Sequence, residues 1–288
     1  MLAIAAVFCA LSDSPKVQFI TLTFDDAVNQ LIQSTILFNN KNKGLSCDIP
    51  ATYYVSNNFT DYYQTSQLYH QYGYEIATHS VNHPDLPDEL EIGSSRAATS
   101  FYANIPFEKI QGFRAPFLHA NSDLLQNLND LGFKYDSSLT TSDSIFPYYM
   151  DKVLNKCEGC DLLSLPELIS IPVYSSIDSS GNIAATMDPI LGTKKKVLDL
   201  WKSNLEKHND NKLPFGIYLH PATLLSQTYL MDALKEFIEY AIDQEDTYFV
   251  TNQQMLAYLQ SDQPDIQEWL EKEQCGTRDP SKLCGIQY

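Results

Sequence analysis

Short apolar runs bounded by polar residues recur along the chain, and stretches of helical periodicity lie between them. Runs near 17–25, 51–56, 74–79, 110–115, 133–138, 168–174, 215–220 and 247–251 are rich in Phe, Tyr, Ile, Leu and Val. Their length and their β-branched and aromatic content predict buried strands. Helical patterns over about 28–38, 64–72, 121–131, 193–208, 227–243 and 252–260 fill the intervals. Alternation of this kind implies a mostly parallel sheet with helices packed outside it. The segment 139–167, rich in Ser, Asp, Cys and Pro, reads as a long insertion. Residues 262–288, which include Trp269, are too few for a second core and read as a wrap; no internal repeat is present.

The polar residues at the strand ends carry the candidate chemistry, because α/β architectures build their sites where strands finish. Asp25 and Asp26 close the run VQFITLTF, and His79 and His83 end the stretch YEIATHSVNH. GFRAPF at 112–117 delivers Arg114, and GIYLHP at 216–221 delivers His220. One carboxylate with two imidazoles suits zinc or a related divalent ion and leaves coordination positions for water. The second carboxylate is then free to act as a base. Each residue alone also has a structural reading: the Asp pair as a strand-end cap, Arg114 as a buried salt bridge, His220 as a satisfied core histidine. It is their conjunction in one order along the chain that favours chemistry.

Length, 288 residues, admits one α/β barrel or two small domains. The net charge of −17 disfavours nucleic acid and anionic membrane surfaces as partners and is compatible with a neutral or cationic polysaccharide. Self-repulsion that keeps an extracellular protein in solution accounts for the same charge without any ligand. Six cysteines, Cys9, Cys47, Cys157, Cys160, Cys275 and Cys284, accompany a sequon at Asn58-Phe59-Thr60. Together they predict a secreted protein with up to three disulfides, no free thiols and a glycan at Asn58; spacing does not give the connectivity. Residues 2–11 are apolar like the end of a signal peptide, but cleavage after Ala10 would remove Cys9 and leave an odd number, so parity favours retention of Cys9. No stretch is long and apolar enough to predict a membrane span.

The ordered set TFDD (23–26), HSVNH (79–83), RAPF (114–117) and LH (219–220) resembles the signature of the NodB-homology polysaccharide deacetylases, carbohydrate esterase family 4. Finer stretches, among them TLTFDDAVN, ATYYVS, GFRAPFL, YDSSL, FPYYMD and PFGIYLHPA, resemble the arthropod-type chitin deacetylases without their chitin-binding module, over about residues 17–260. The resemblance implies an α/β fold, a distorted (β/α)7 barrel forming a single catalytic domain at 17–261, after an N-terminal segment 1–16 and before a disulfide-tied C-terminal extension at 262–288. It implies one divalent metal, zinc first and cobalt or another ion otherwise, on Asp26, His79 and His83. Asp25 is the implied base, Arg114 its charged partner, His220 the proton donor, and the backbone N–H of Phe117 part of an oxyanion site. For the acid that orients His220, the family analogy offers Asp151 in FPYYMDK first and Asp136 in YDSSL second. The implied reaction is hydrolysis of N-acetyl groups on N-acetylglucosamine residues of chitin or chito-oligosaccharides by a secreted monomer. A chitin-matrix binding protein with little turnover and a deacetylase of another N-acetylated glycan are the rival readings.

Overall fold

The computed structural model describes residues 15–151, 153 and 157–284; Cys9 and most of the segment 1–16 lie outside them. The strands in chain order are β1 (Gln18–Asp26), β2 (Thr52–Val55), β3 (Glu75–Thr78), β4 (Gly112–Phe113), β5 (Tyr135–Asp136), β6 (Thr140–Thr141), β7 (Tyr148–Met150), β8 (Leu165–Ser170), β9 (Val173–Tyr174), β10 (Ser176–Ile177), β11 (Ile183–Ala185), β12 (Phe215–Leu219) and β13 (Thr247–Val250). The main sheet runs β12-β1-β2-β3-β4-β5-β8-β7, with β13 also paired to β1. Every pair from β12 to β8 is parallel, and only the edge strand β7 is antiparallel. With β13, which also runs parallel to β1, eight parallel strands therefore curl into the kind of barrel the resemblance implied, one more than the seven expected, and the curl stays open between β12 and β8. The Tyr218 hydroxyl spans that opening: it accepts from Tyr174 N–H and donates to the Pro172 carbonyl.

Alternation along the strands sorts side chains between two cores. Ile20, Leu22 and Phe24 of β1, with Tyr53 and Val55 of β2, face outward and pack with Trp201, Leu205, Phe237 and Ile238 of the covering helices. Phe19, Tyr54, Ala77, Tyr135 and Ile169 belong to the inner cluster. Gly112 and Gly216 leave room for this inner layer: a Cβ at either would stand 2.0 Å from the ring of Tyr135 or the hydroxyl of Tyr218. Burial on both faces is why these strands read in the sequence as nearly continuous apolar runs. Side-chain caps from Asn29, Asp61, Asp88, Asn121, Thr193, Thr251 and Asp265 begin seven of the helices.

The helix Glu89–Ala103 escapes the periodicity reading. Its buried face consists of Ile92, Ser95, Arg96, Thr99 and Ala103, too polar to register as an apolar stripe. Arg96 is accommodated by donating to the carbonyls of Leu131 and Phe107 while its guanidinium lies over the rings of Phe107 and Phe133 at 4.2 and 4.7 Å. Within the expected insertion, β7 joins the main sheet and Cys157 is bonded to Cys160. The C-terminal stretch carries the helix Ile266–Leu270 and is tied to the barrel by a Cys47–Cys275 disulfide. Cys284 forms no disulfide among the described residues.

Candidate active site

Strand β1 ends on two adjacent acids, and ordinary pleating would send their side chains to opposite faces. Asp26 instead adopts φ 89°, a conformation that L-residues rarely hold, which turns its carboxylate to the same end of the barrel as Asp25. His79 follows β3 directly, and His83, at φ 58°, closes a tight turn in which its N–H donates to Ser80 Oγ at 3.0 Å. The Asp26 Oδ1 atom stands 4.0 Å from His79 Nε2 and 3.5 Å from His83 Nε2. One ligand atom from each of the three residues lies within 4.8 Å of the others. His79 Nδ1 donates to the Arg114 carbonyl at 2.6 Å, which leaves Nε2 as a lone-pair donor toward the triad. Burial holds the His79 pKa below its ordinary value, so the ring is neutral and competent as a ligand. Two imidazoles and one carboxylate, partly open to solvent, fit a divalent ion of the zinc type.

Beside the triad, Asp25 is buried at 1% exposure and receives Arg114 Nη1–H at 2.7 Å. Arg114 is itself fully buried, and three further hydrogen bonds hold it: Nε–H to the Ser137 carbonyl at 2.9 Å, Nη2–H to Ser137 Oγ at 3.0 Å, and Nη1–H also to Thr23 Oγ1 at 3.0 Å. The rings of Tyr54 and Tyr218 lie 4.0 and 5.2 Å from the guanidinium. Burial alone would lower the Arg114 pKa, but the Asp25 charge reverses this and keeps the group cationic. Four hydrogen bonds and a matched charge are what make so deep a guanidinium tolerable.

His220 arrives from the end of β12, and the acid that meets it is Asp188. Asp188 Oδ1 accepts the His220 backbone N–H at 2.9 Å, and its Oδ2 is hydrogen-bonded with His220 Nδ1. Burial lowers the imidazole pKa, but the Asp188 hydrogen bond and the charges of Asp25, Asp188 and Asp26 outweigh it and push the value up to about 9. This corrects both acids expected from the sequence. Asp151 is exposed at the end of β7, and Asp136, wholly buried, accepts from Ser138 N–H and Oγ–H instead. Burial raises the Asp136 pKa to about 6, and through Ser138, whose Oγ accepts Ala115 N–H, the residue braces the loop after Arg114. Asp188 lies just past the β10–β11 hairpin, held by its N–H on the Tyr218 carbonyl. Its only local sequence signal is the following Pro189, which marks a turn and nothing more.

Phe117 has φ 59° and 60% exposure, and its ring meets His83 edge-on at 4.8 Å between centroids. Asn58 is exposed on the loop after β2, where its N–H donates to the Val81 carbonyl, so the sequon borders the same end of the barrel.

A family profile described as polysaccharide deacetylase matches residues 12–135. The chain is 28% identical to chitin deacetylase 1 of Bombyx mori, the alignment covering 88% of this chain and 54% of that protein. It is 26% identical to chitin deacetylase 8 of Bombyx mori, over 88% of this chain and 72% of that one. The chain thus spans about half the length of the first of these relatives and more of the second. Among solved structures, a Mycobacterium smegmatis protein described as a polysaccharide deacetylase superposes with a TM-score of 0.59 at 19% identity, covering 86% of this chain and 91% of its own. That likeness extends to the fold.

Proposed function

Because the chain carries a polysaccharide deacetylase domain of carbohydrate esterase family 4, we propose that it is a metal-dependent hydrolase that removes acetyl groups from N-acetylglucosamine residues of chitin or chito-oligosaccharides. The observation that carries this reading is convergence: a two-histidine, one-aspartate triad, a buried Asp25–Arg114 pair and a His220–Asp188 pair meet at one end of one barrel. Such a set contains what amide hydrolysis requires, namely a base, charge stabilisation for an oxyanion and a proton for the departing amine.

Asp26, His79 and His83 hold the divalent ion, zinc or cobalt, which when bound supplies Lewis acidity toward water and the amide carbonyl. Asp25 takes the proton of the attacking water as the new C–O bond forms. Arg114 keeps that carboxylate aimed through a charge-assisted hydrogen bond at 2.7 Å. The Phe117 N–H donates to the oxygen on which charge develops. His220, charged through Asp188, gives its proton to the amine as the C–N bond breaks, leaving acetate and a glucosamine unit. The Asp188 contact stabilises the imidazolium and fixes the ring so that Nε2 carries the proton toward substrate.

A secreted location with a glycan at Asn58 is part of the same proposal. It is supported by two disulfides among the described residues, and no helix there is long and apolar enough to cross a membrane. The test is mass spectrometry of short N-acetylglucosamine oligomers incubated with the protein and zinc or cobalt, with and without a chelator. Stepwise loss of acetyl groups that stops on chelation is expected. No mass change at any metal loading would reject the enzymatic reading in favour of a binding protein.

A further inference from the structure

Glu75 opens β3, and His79 stands four residues further along, so by strand rise its carboxylate lies about 13 Å below the metal triad, at the opposite end of the barrel interior. It is 6% exposed, and its partners are hydroxyls and an amide with no cation among them: Thr52 Oγ1–H at 3.0 Å, Gln253 N–H at 2.8 Å and the Tyr135 hydroxyl. Burying a carboxylate without a counter-charge is costly, and an apolar residue would fill the floor of the barrel more cheaply. The expense is accounted for by what its donors touch next. Thr52 Oγ1 accepts Asn252 N–H at 2.9 Å, and Asn252 Nδ2–H donates to the Tyr54 hydroxyl at 2.6 Å. The Tyr135 hydroxyl also meets that of Tyr54. Both branches thus end on Tyr54, whose ring lies 4.0 Å from the Arg114 guanidinium, and Arg114 in turn donates to Asp25 at 2.7 Å.

We propose that Glu75 is a positioning residue for the deacetylation reaction, acting through Thr52, Asn252, Tyr135 and Tyr54 to fix the plane of the Arg114 guanidinium against Asp25. The proposal rests on the reading of Asp25 as the base. A carboxylate suits the post because it only accepts: three donors from three different elements are drawn to one point, and the tyrosine hydroxyls have a single orientation left. Glutamine at the same position brings its own N–H donors against them, while Tyr135→Phe cuts one branch and keeps the ring.

The experiment compares Glu75→Gln, Tyr135→Phe and the double variant in the metal-loaded protein. The expected result is a fall of about tenfold in kcat for acetate release from a short oligomer, with KM and bound metal unchanged and the double variant no worse than the poorer single one. A second readout does not depend on turnover. The Nε–H signal of Arg114 in a proton–nitrogen correlation spectrum, identified by its loss in Arg114→Lys, should shift and exchange faster with solvent in both single variants. An unmoved Arg114 signal overturns the proposal whatever the rate does, and so does an unchanged kcat, even if the melting temperature falls. If Glu75→Gln does not fold, Tyr135→Phe decides by the same two measures. If the unaltered protein deacetylates nothing, the reading of the reaction fails, and the Arg114 signal still decides whether Glu75 positions the guanidinium.

Discussion

Replacing Asp188 by asparagine separates the shape of its contact with His220 from its charge. In the native arrangement Oδ1 takes the backbone N–H and Oδ2 takes the imidazole Nδ1–H. With its pKa raised from 6.5 to about 9, the ring is almost wholly protonated at pH 7. In Asp188→Asn the amide oxygen still accepts the backbone N–H, but the amide nitrogen is a donor facing Nδ1. The imidazole pKa then falls from about 9 toward its ordinary range, since both contributions of Asp188 are lost while the charges of Asp25 and Asp26 remain to oppose burial, and a smaller share of the molecules carries the proton at pH 7. Loss of orientation removes more, because a positioned acid contributes about 10²–10⁴, and the expected fall in kcat is about 10²-fold. The acid form exists below the pKa and is lost above it, so the basic limb of the kcat profile should move to lower pH. A divalent ion at the triad repels the imidazolium in both proteins and leaves the sign of the comparison unchanged. The assay is acetate release from an N-acetylglucosamine tetramer across pH, with metal content measured in parallel and expected to stay constant. A kcat within about threefold of the unaltered protein, with an unmoved basic limb, would refute the assignment of Asp188.

Metal analysis provides a second prediction: His79→Ala should bind zinc at least about tenfold more weakly, and full occupancy in that variant would remove it from the ligand set. Asp25→Asn should keep its metal and lose about 10²-fold or more in kcat, since it removes the base and not a ligand; a near-normal rate would exclude Asp25 as the base. Arg114→Met strands the buried Asp25 carboxylate, and urea unfolding should show a loss of about 3–5 kcal/mol; a loss under 1 kcal/mol would mean that water enters beside Asp25. The Cys47–Cys275 bridge spans a sequence separation of 228. By chain entropy its removal in Cys47→Ser/Cys275→Ser should cost up to about 5 kcal/mol, read as a lower urea midpoint.

Most of the barrel is legible in the chain because strand burial is a local property. Runs such as VQFITLTF and PFGIYL are apolar on both faces, and their ends are marked by the residues that follow. Asp25, Asp26, His79, Arg114 and His220 could be singled out for the same reason: each sits one step beyond or within the last turn of an apolar run, where a parallel strand must emerge. The tertiary structure alone decided which groups those residues meet. Asp188 is 32 positions from His220 and lies after a small hairpin with no periodic pattern, so only the packing of that hairpin against β12 brings its carboxylate to the imidazole. Glu75 reads as the polar start of a strand, and its place on the floor of the barrel depends on Thr52, Tyr135 and Gln253, which come from three other parts of the chain. The pairing of Cys47 with Cys275 and of Cys157 with Cys160 is likewise set by which backbones the fold brings together. Periodicity records whether a side chain faces water or core over a few residues, whereas a hydrogen-bond partner depends on where two distant segments come to rest, and no local pattern carries that information.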